Sequence, residues 1–493
     1  KAEFKDDVSV SGNTVFGGTL RVAGATSLEG AVDLNSTLTV AGAVSLASTL
    51  SVGGATNFLS TVTVVGNTRL GAIVSVVGAA NFASTVTVVG AAHLQSTVSV
   101  GGAATFASTV TVVGAAHLQS TVSVGGAAVF ADTVTVVGDG TFKSNVSVSG
   151  NLDITGNVSV AGTLFAAGGI TYDGNVSVSG NLAVGGNVSI GGTLSVTGAV
   201  SLASTLSVGG ASNFLSTVTV VGNTRLGALV SVVGAANFAS TVTVVGAAHL
   251  QSTVSVGGAA TFASTVTVVG IGTFKDDVSV SGNTVLGGTL RVAGATSLEG
   301  AVDLNSTLTV AGAVSLASTL SVGGAANFAS TVTVEGAAHL KAAVSVGGAA
   351  VFASTVTVVG IGTFKDDVSV SGNTILGGTL RVVGATSLQG AVDLNSTLTV
   401  AGAVSLASTL SVGGAANFAS TVTVVGIGTF KDDVSVSGNT VLGGTLRVAG
   451  ATSLEGAVDL NSTLTVAGAV SLASTLSVGG AANFLSTVTI TGT

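Results

Sequence analysis

Counted in sixes from Lys1, the fourth position of each hexad is Phe4, Val10, Phe16, Val22, Leu28, Leu34, Val40 and so on to Phe484 and Ile490. Every one is apolar, with Ala166 and Tyr172 the weakest. Two residues later stands Gly or Ser almost everywhere, and otherwise Ala or Asp; two residues earlier stands Val, Leu, Ile, Ala, Thr, Ser or Gly. The hexad therefore reads apolar, polar, large apolar, any, small, any, and no insertion shifts its frame. Alternation with period two over three or four residues predicts a short strand, and the small residue two places past the large one marks a corner. Glycine there is expected to accept positive φ and close packing. Helix is excluded, because no 3.6-residue period exists and Val, Thr and Gly dominate. A sandwich or barrel would need hairpin loops of varied length and a finite strand count. The pattern predicts an all-β chain: one continuous β-solenoid, or parallel β-helix, of strand-corner repeats over residues 1–493 with no globular domain. Its coils would stack at about 4.8 Å, each strand pairing in parallel with those a coil above and below.

The number of hexads per coil is a separate question. Residues 84–95, STVTVVGAAHLQ, recur at 108–119, so a rhythm of twelve overlies the six. A twelve-residue coil would be flat and two-sided, with all Val on one face. An eighteen-residue coil would be a three-sided prism in which Val alternates with Phe or Leu up each column. Eighteen is favoured, because about two residues per corner suit a 120° bend better than a reversal. The segment FKDDVSVSGNT begins at Phe4 and Phe274, with near or identical copies from Phe364 and Phe430, giving spacings of 270, 90 and 66. The last is a multiple of neither twelve nor eighteen, so the hexad is the unit of exchange, and an intertwined homotrimer sharing each level stays open. Three-sided coils would make a rod of roughly 130 Å, two-sided ones roughly 195 Å.

Composition narrows the function classes. At 47% hydrophobic the chain can bury a core, which excludes simple disorder. It has 73 Gly, no Pro, Cys, Met or Trp, and 7% charged residues, against about a quarter in ordinary domains. The lack of cysteine removes disulfides, zinc knuckles and thiol chemistry. A net charge of -8, thinly spread, offers no basic stripe for nucleic acid or anionic lipid. No apolar run of about 18 residues is present, so neither a membrane span nor a signal peptide is expected. The chain opens KAEFKDD without Met, which is read as a processed chain or a fragment.

Segments such as GNVSVSGNLAVGGNVSIGGTLSVTG at 174–198 resemble the short β-repeats of fibre and virion-surface proteins of phages and giant algal viruses. The hexad is also similar to the hexapeptide repeat of left-handed β-helices. Here, however, Gly follows the large aliphatic by two residues instead of one, which leaves the hand of the coil open. The resemblance implies a structural fibre on a virion or cell surface, outside the cell.

Candidate chemistry is sparse. His93, His117, His249 and His339 stand at the polar position between two inward ones and should face solvent, and a chain of strict hexads has no loops to converge groups upon them. The acidic pairs Asp6/Asp7, Asp276/Asp277, Asp366/Asp367 and Asp432/Asp433 lie at corners beside Lys5, Lys275, Lys365 and Lys431. Two carboxylates give too few oxygens for calcium, so solvated corners are expected. The Gly residues open no helix and form no phosphate loop. Thr61-Val62-Thr63, Thr85-Val86-Thr87 and Thr109-Val110-Thr111 would form a flat Thr ladder resembling an ice-binding face in a twelve-residue coil, and would spiral round an eighteen-residue one.

Residues 139–198 are richer in Asn and Gly; they contain Tyr172 and also Phe165, the one Phe outside the large inward position and a candidate lateral contact. Asn35, Asn145, Asn157, Asn175, Asn187, Asn305, Asn395 and Asn461 fit N-x-S/T. No catalytic, cofactor-binding or metal residue is predicted, and the chain is not read as an enzyme. The expected function is a rigid structural fibre or filament subunit that self-associates end to end or laterally, with other surface or virion proteins as further partners. The alternative is a Thr-rich solenoid that binds ice or glycan. No polar cap is visible: Ala2 and Phe4 are already in frame, Val488 and Ile490 hold inward positions, and the pattern stops at Thr493, so both ends are expected to accept another coil.

Overall fold

The computed structural model describes residues 1–492; Thr493, where the repeat pattern stops, lies outside the described residues. Two compact units are distinguished, Lys1–Gly246 and Ala247–Thr493. The first contains strands β1 (Ala2–Phe4) to β41 (Val242–Val244), the second β42 (Ala248–Leu250) to β82 (Val488–Ile490). Strand βn occupies residues 6n−4 to 6n−2 throughout, so each hexad of the sequence contributes one three-residue strand and one three-residue corner. No helix occurs among the described residues.

Within each unit a strand pairs in parallel with the third strand after it. In the first, Ala2 lies opposite Leu20 and Phe4 opposite Val22; in the second, Ala248 lies opposite Val266 and Leu250 opposite Val268. One turn is therefore 18 residues, and three parallel sheets form the sides of each solenoid. Strands β1, β4, β7 and onward make the first sheet, β2, β5, β8 the second, and β3, β6, β9 the third. The two-sided coil is set aside by this register. So is the intertwined trimer, since one chain supplies all three sides of a turn.

Main-chain groups are satisfied between turns. Ala2 N donates to Thr19 O at 2.8 Å, and Ala23 N donates to Phe4 O at 2.9 Å. The same two bonds recur along each unit. Except in the first turn of the first unit and the last turn of the second, the second and fourth hexad positions are buried, and the third faces outward, as strand alternation requires. Large and small side chains alternate along stretches of the inward ladders, as in Val40, Phe58, Val76, Leu94 and Val112 of the first unit and Val310, Phe328, Val346, Phe364 and Val382 of the second, while Leu28 stacks on Leu46 and Leu298 on Leu316. Within a strand, Phe at the fourth position always has Ala, Thr, Ser or Gly at the second. The two inward side chains share one slot, and a full-sized second residue would overfill it.

The glycines depart from expectation in one respect. None of the described residues, glycine or other, has positive φ. The corner needs glycine for close approach alone: a Cβ built on Gly114 would lie 2.6 Å from the carbonyl carbon of Ser96, one turn earlier. A rule follows along each corner column. In the series Gly42, Ser60, Gly78, Ser96, Gly114, Asp132, Gly150, every residue with a side chain has glycine a turn before and a turn after, and no column of sixth hexad positions in either unit stacks two side chains in succession. Backbones stacked at strand spacing leave room there for a Cβ on alternate turns only.

Candidate functional site

His93, His117, His249 and His339 are each exposed at the centre of a strand, as expected. His93 lies on the first sheet between Ser75 and Thr111, and His117 on the second between Ser99 and Thr135. His249 and His339 share the third sheet but stand five turns apart. No group of three His, Asp or Glu able to hold a metal occurs among the described residues.

The acidic pairs do more than face solvent. Asp276 Oδ1 accepts the N–H of Asp277 at 2.9 Å, and Asp277 Oδ1 accepts the N–H of Ala295 in the next turn at 2.7 Å. Asp366/Asp367 and Asp432/Asp433 repeat both bonds, and Asp7 Oδ1 takes Ala25 N at 2.6 Å. The first residue of each hexad has an N–H that the strand ladder leaves free, and a carboxylate a turn below supplies its acceptor. The adjacent lysines do not join these corners; among the described residues the ion pair is Lys1 Nζ with Glu3 Oε2 at 3.6 Å.

Asn residues at the same position act identically. Asn145, Asn157 and Asn175 accept from Thr163, Asn175 and Thr193 at 2.8, 2.9 and 2.8 Å, and Asn187 takes the Thr205 hydroxyl at 2.7 Å. Four of the eight N-x-S/T matches are thus turn-to-turn acceptors. Asn35, Asn305, Asn395 and Asn461 occupy the opposite side of the corner and are exposed. The Thr-Val-Thr triplets fall on successive sheets, with Val62 in the second, Val86 in the third and Val110 in the first. Phe165 is 45% exposed on the first sheet between Ser147 and Ala183.

Three shallow grooves on the second unit share one construction. In the first, Asp277 and Ser279 are followed at successive turns by Ala295 and Ser297, Ala313 and Ser315, and Thr331 and Thr333, enclosing about 420 Å³. Asp367 to Thr423 and Asp433 to Thr489 repeat it, at about 400 and 440 Å³. Alanine and serine form the floor and larger residues the ends. Each groove offers a row of hydroxyls and one carboxylate already committed to the corner, which suits hydrogen bonding to a hydroxyl-bearing surface and lacks the paired groups of acid–base chemistry.

A second polar set lies inside, where sequence reasoning assigned only packing. The buried polar side chains are Thr14 with Thr26, Thr56 with Thr68, Ser212 with Thr224, Thr284 with Thr296, Thr374 with Thr386, and Thr440 with Thr452. Members of each pair are twelve residues apart, which in an 18-residue turn is one sheet back and one turn on. None of these hydroxyls has a hydrogen-bond partner in the protein, and neither does Tyr172 Oη. Tyr172 is fully buried, and burial first, then the charge of Asp153, push its phenol well above the ordinary range and keep it neutral.

No helix among the described residues is long and apolar enough to cross a membrane. Comparison with known proteins finds no matching family model, no matching curated protein and no matching solved structure.

Proposed function

We propose that the chain is a structural fibre or filament subunit whose work is stiffness, spacing and self-association on a virion or cell surface outside the cell, in keeping with the resemblance of its repeats to fibre and virion-surface proteins. The observation that carries this reading is the absence, among the described residues, of any connection longer than a three-residue corner. Binding and catalytic groups ordinarily sit on loops held by a scaffold, and here the scaffold is nearly all there is. Each buried Val, Leu or Phe contributes roughly 1.5–3 kcal/mol before chain entropy is set against it, and the inner turns of each unit repeat that contribution one after another. Phe4 and Ile490 hold inward ladder positions yet are 41% and 50% exposed; a further coil, from more chain or from a second copy, would cover them. Sedimentation velocity at rising concentration, with negative-stain microscopy of the same samples, tests the reading. Filaments or higher oligomers at tens of micromolar are expected; a stable monomer would remove self-association.

A second reading, binding of a hydroxyl-rich surface such as glycan or ice, is favoured by the threefold recurrence of the Ser/Thr grooves. The placing of the Thr triplets on three different sheets removes the single flat Thr ladder it would otherwise draw on. Retention on polysaccharide affinity columns, lost in a Ser297→Val/Ser315→Val variant, would establish it.

A further inference from the structure

On the first sheet of the second unit the outward strand centres carry two charges, both positive: Arg291 in β49 (Leu290–Val292) and Arg381 in β64 (Leu380–Val382). On the third sheet Asp303 in β51 (Val302–Leu304) and Asp393 in β66 (Val392–Leu394) face outward in the same way. In each case the interval is 90 residues, which is five 18-residue turns, and about 24 Å at strand spacing. All four side chains are exposed, and none belongs to the ion pair formed among the described residues, Lys1 with Glu3. The two sheets meet at a corner, between β45 (Val266–Val268) and β46 (Gly272–Phe274), that carries Val269 and Ile271; five turns on, the same corner carries Val359 and Ile361. These four apolar side chains are each about half exposed.

We propose that these two faces bind each other in neighbouring copies of this chain: the first sheet of one copy lies against the third sheet of a second, with the axes of the two solenoids parallel, Arg291 on Asp303 and Arg381 on Asp393. The inference rests on the self-association reading above and names the surface that carries it sideways. Opposite charges at one common interval let both pairs form in a single register, and that complementarity selects a second copy as the occupant. Exposed ion pairs add little affinity singly; their work is to fix register and to choose between faces. The other choices are poorer. First sheet on first sheet sets arginine near arginine, third on third sets aspartate near aspartate, and the outward strand centres of the second sheet carry no charge in the second unit before Asp459. Parallel axes also bring the Val269/Ile271 and Val359/Ile361 corner of one copy beside the same corner of the next, at nearly the same level, where each helps to cover the other. Antiparallel axes set that corner beside the one between the second and third sheets instead. The contact is heterologous, so every copy keeps a free face of either sign and a third copy can add in the same manner. Arg447 and Asp459, a further 66 residues on, fall on the third and second sheets and stand outside the contact.

The test uses the full chain and two charge-reversed variants, Arg291→Glu/Arg381→Glu and Asp303→Arg/Asp393→Arg, in sedimentation velocity with negative-stain microscopy at low and high salt. The parent is expected to associate side by side at low salt and less at high salt. Each variant alone presents like charges on both faces and is expected to associate laterally at least about tenfold more weakly. An equimolar mixture of the two is expected to recover, because each then complements the other. The chain has no cysteine, so Arg381→Cys and Asp393→Cys variants give a second readout that serves even if a reversed variant does not fold. Under mild oxidation their mixture should yield more disulfide-linked pairs than either variant alone, and equal yields overturn the contact. So do reversed variants that associate like the parent, or a mixture that does not recover. A parent that forms end-to-end filaments untouched by charge reversal overturns this contact and leaves the filament reading standing, whereas a parent that stays monomeric overturns both.

Discussion

Asp277 Oδ1 holds the N–H of Ala295, one turn further along the solenoid, at 2.7 Å. The same contact joins Asp7 to Ala25, Asp367 to Ala385 and Asp433 to Ala451, and with asparagine as acceptor it joins Asn283 to Ala301 at 3.0 Å. Carboxylates that look like solvated corner residues are thus part of the turn-to-turn hydrogen bonding.

Asp277→Ala is therefore expected to cost about 0.5–1.5 kcal/mol, the net worth of a hydrogen bond at an exposed corner, by leaving the Ala295 N–H to water. Asp277→Asn keeps the acceptor oxygen and should stay within about 0.5 kcal/mol of the parent. Urea unfolding of the two variants checks this; equal losses would mean that charge, and not the acceptor, matters at the corner.

The glycine corners make a sharper prediction. Gly114→Val drives a side chain into the carbonyl of Ser96, with backbone on the receiving side, and is expected to cost about 1–3 kcal/mol or more. Gly114→Ser should also destabilise, because it stacks side chains at Ser96, residue 114 and Asp132 in succession. Adding Ser96→Gly and Asp132→Gly to that variant should restore most of the loss, since the column again alternates. Gln119→Glu, on an exposed corner residue, should be nearly silent. Thermal unfolding of the four variants decides whether alternation governs the corner.

How much of this was legible follows from the physics of each feature. The strands were legible one by one, because a period-two apolar pattern beside a small residue has no other stable reading. The 18-residue turn was legible beyond the corner argument used for it: at a spacing of twelve, Ser36, Ser48 and Ser60 would stack directly, whereas at eighteen Ser36 is followed by Gly54 and Ser48 by Gly66. Positive φ at glycine was expected wrongly, since a shallow 120° corner can be turned within the ordinary region and glycine is selected by the turn below it. The Asp and Asn acceptors and the buried hydroxyl pairs were not readable from the hexad. Both relate residues eighteen or twelve apart, and such spacings have meaning only once the turn length is known.

Tyr172 should give the chain an alkaline limit. Its folded pKa is raised above the unfolded value of about 10, so its contribution to stability is fully present below about pH 10 and is lost as pH rises through the folded value, when the unfolded chain alone releases the proton. Tyr172→Phe removes this limb and also removes a buried hydroxyl without a partner. The variant is expected to match or exceed the parent at pH 7 and to gain on it further above pH 10, measured by urea midpoints across that range. A parallel decline of both proteins would place the alkaline loss elsewhere.

The shared inward slot of each strand sets the last prediction. In β55 (Ala326–Phe328) the small Ala326 accompanies Phe328; Ala326 lies between Leu308 and Val344, and Phe328 between Val310 and Val346. Phe328→Val alone removes a buried ring with nothing to fill the space and is expected to cost about 2–4 kcal/mol. Ala326→Val alone overfills the slot and should cost about 1–3 kcal/mol. Together they convert Ala-Asn-Phe into Val-Asn-Val, the inward pattern that Val-Ser-Val strands such as β58 (Val344–Val346) already use, with nearly the same summed volume. The double variant should therefore recover at least half of the summed single losses, a coupling expected only of residues that fill one space. A double-mutant cycle by urea unfolding reads it directly. Simple additivity would mean that the two inward positions pack independently, and the pairing of phenylalanine with small residues throughout the chain would then need an explanation other than volume.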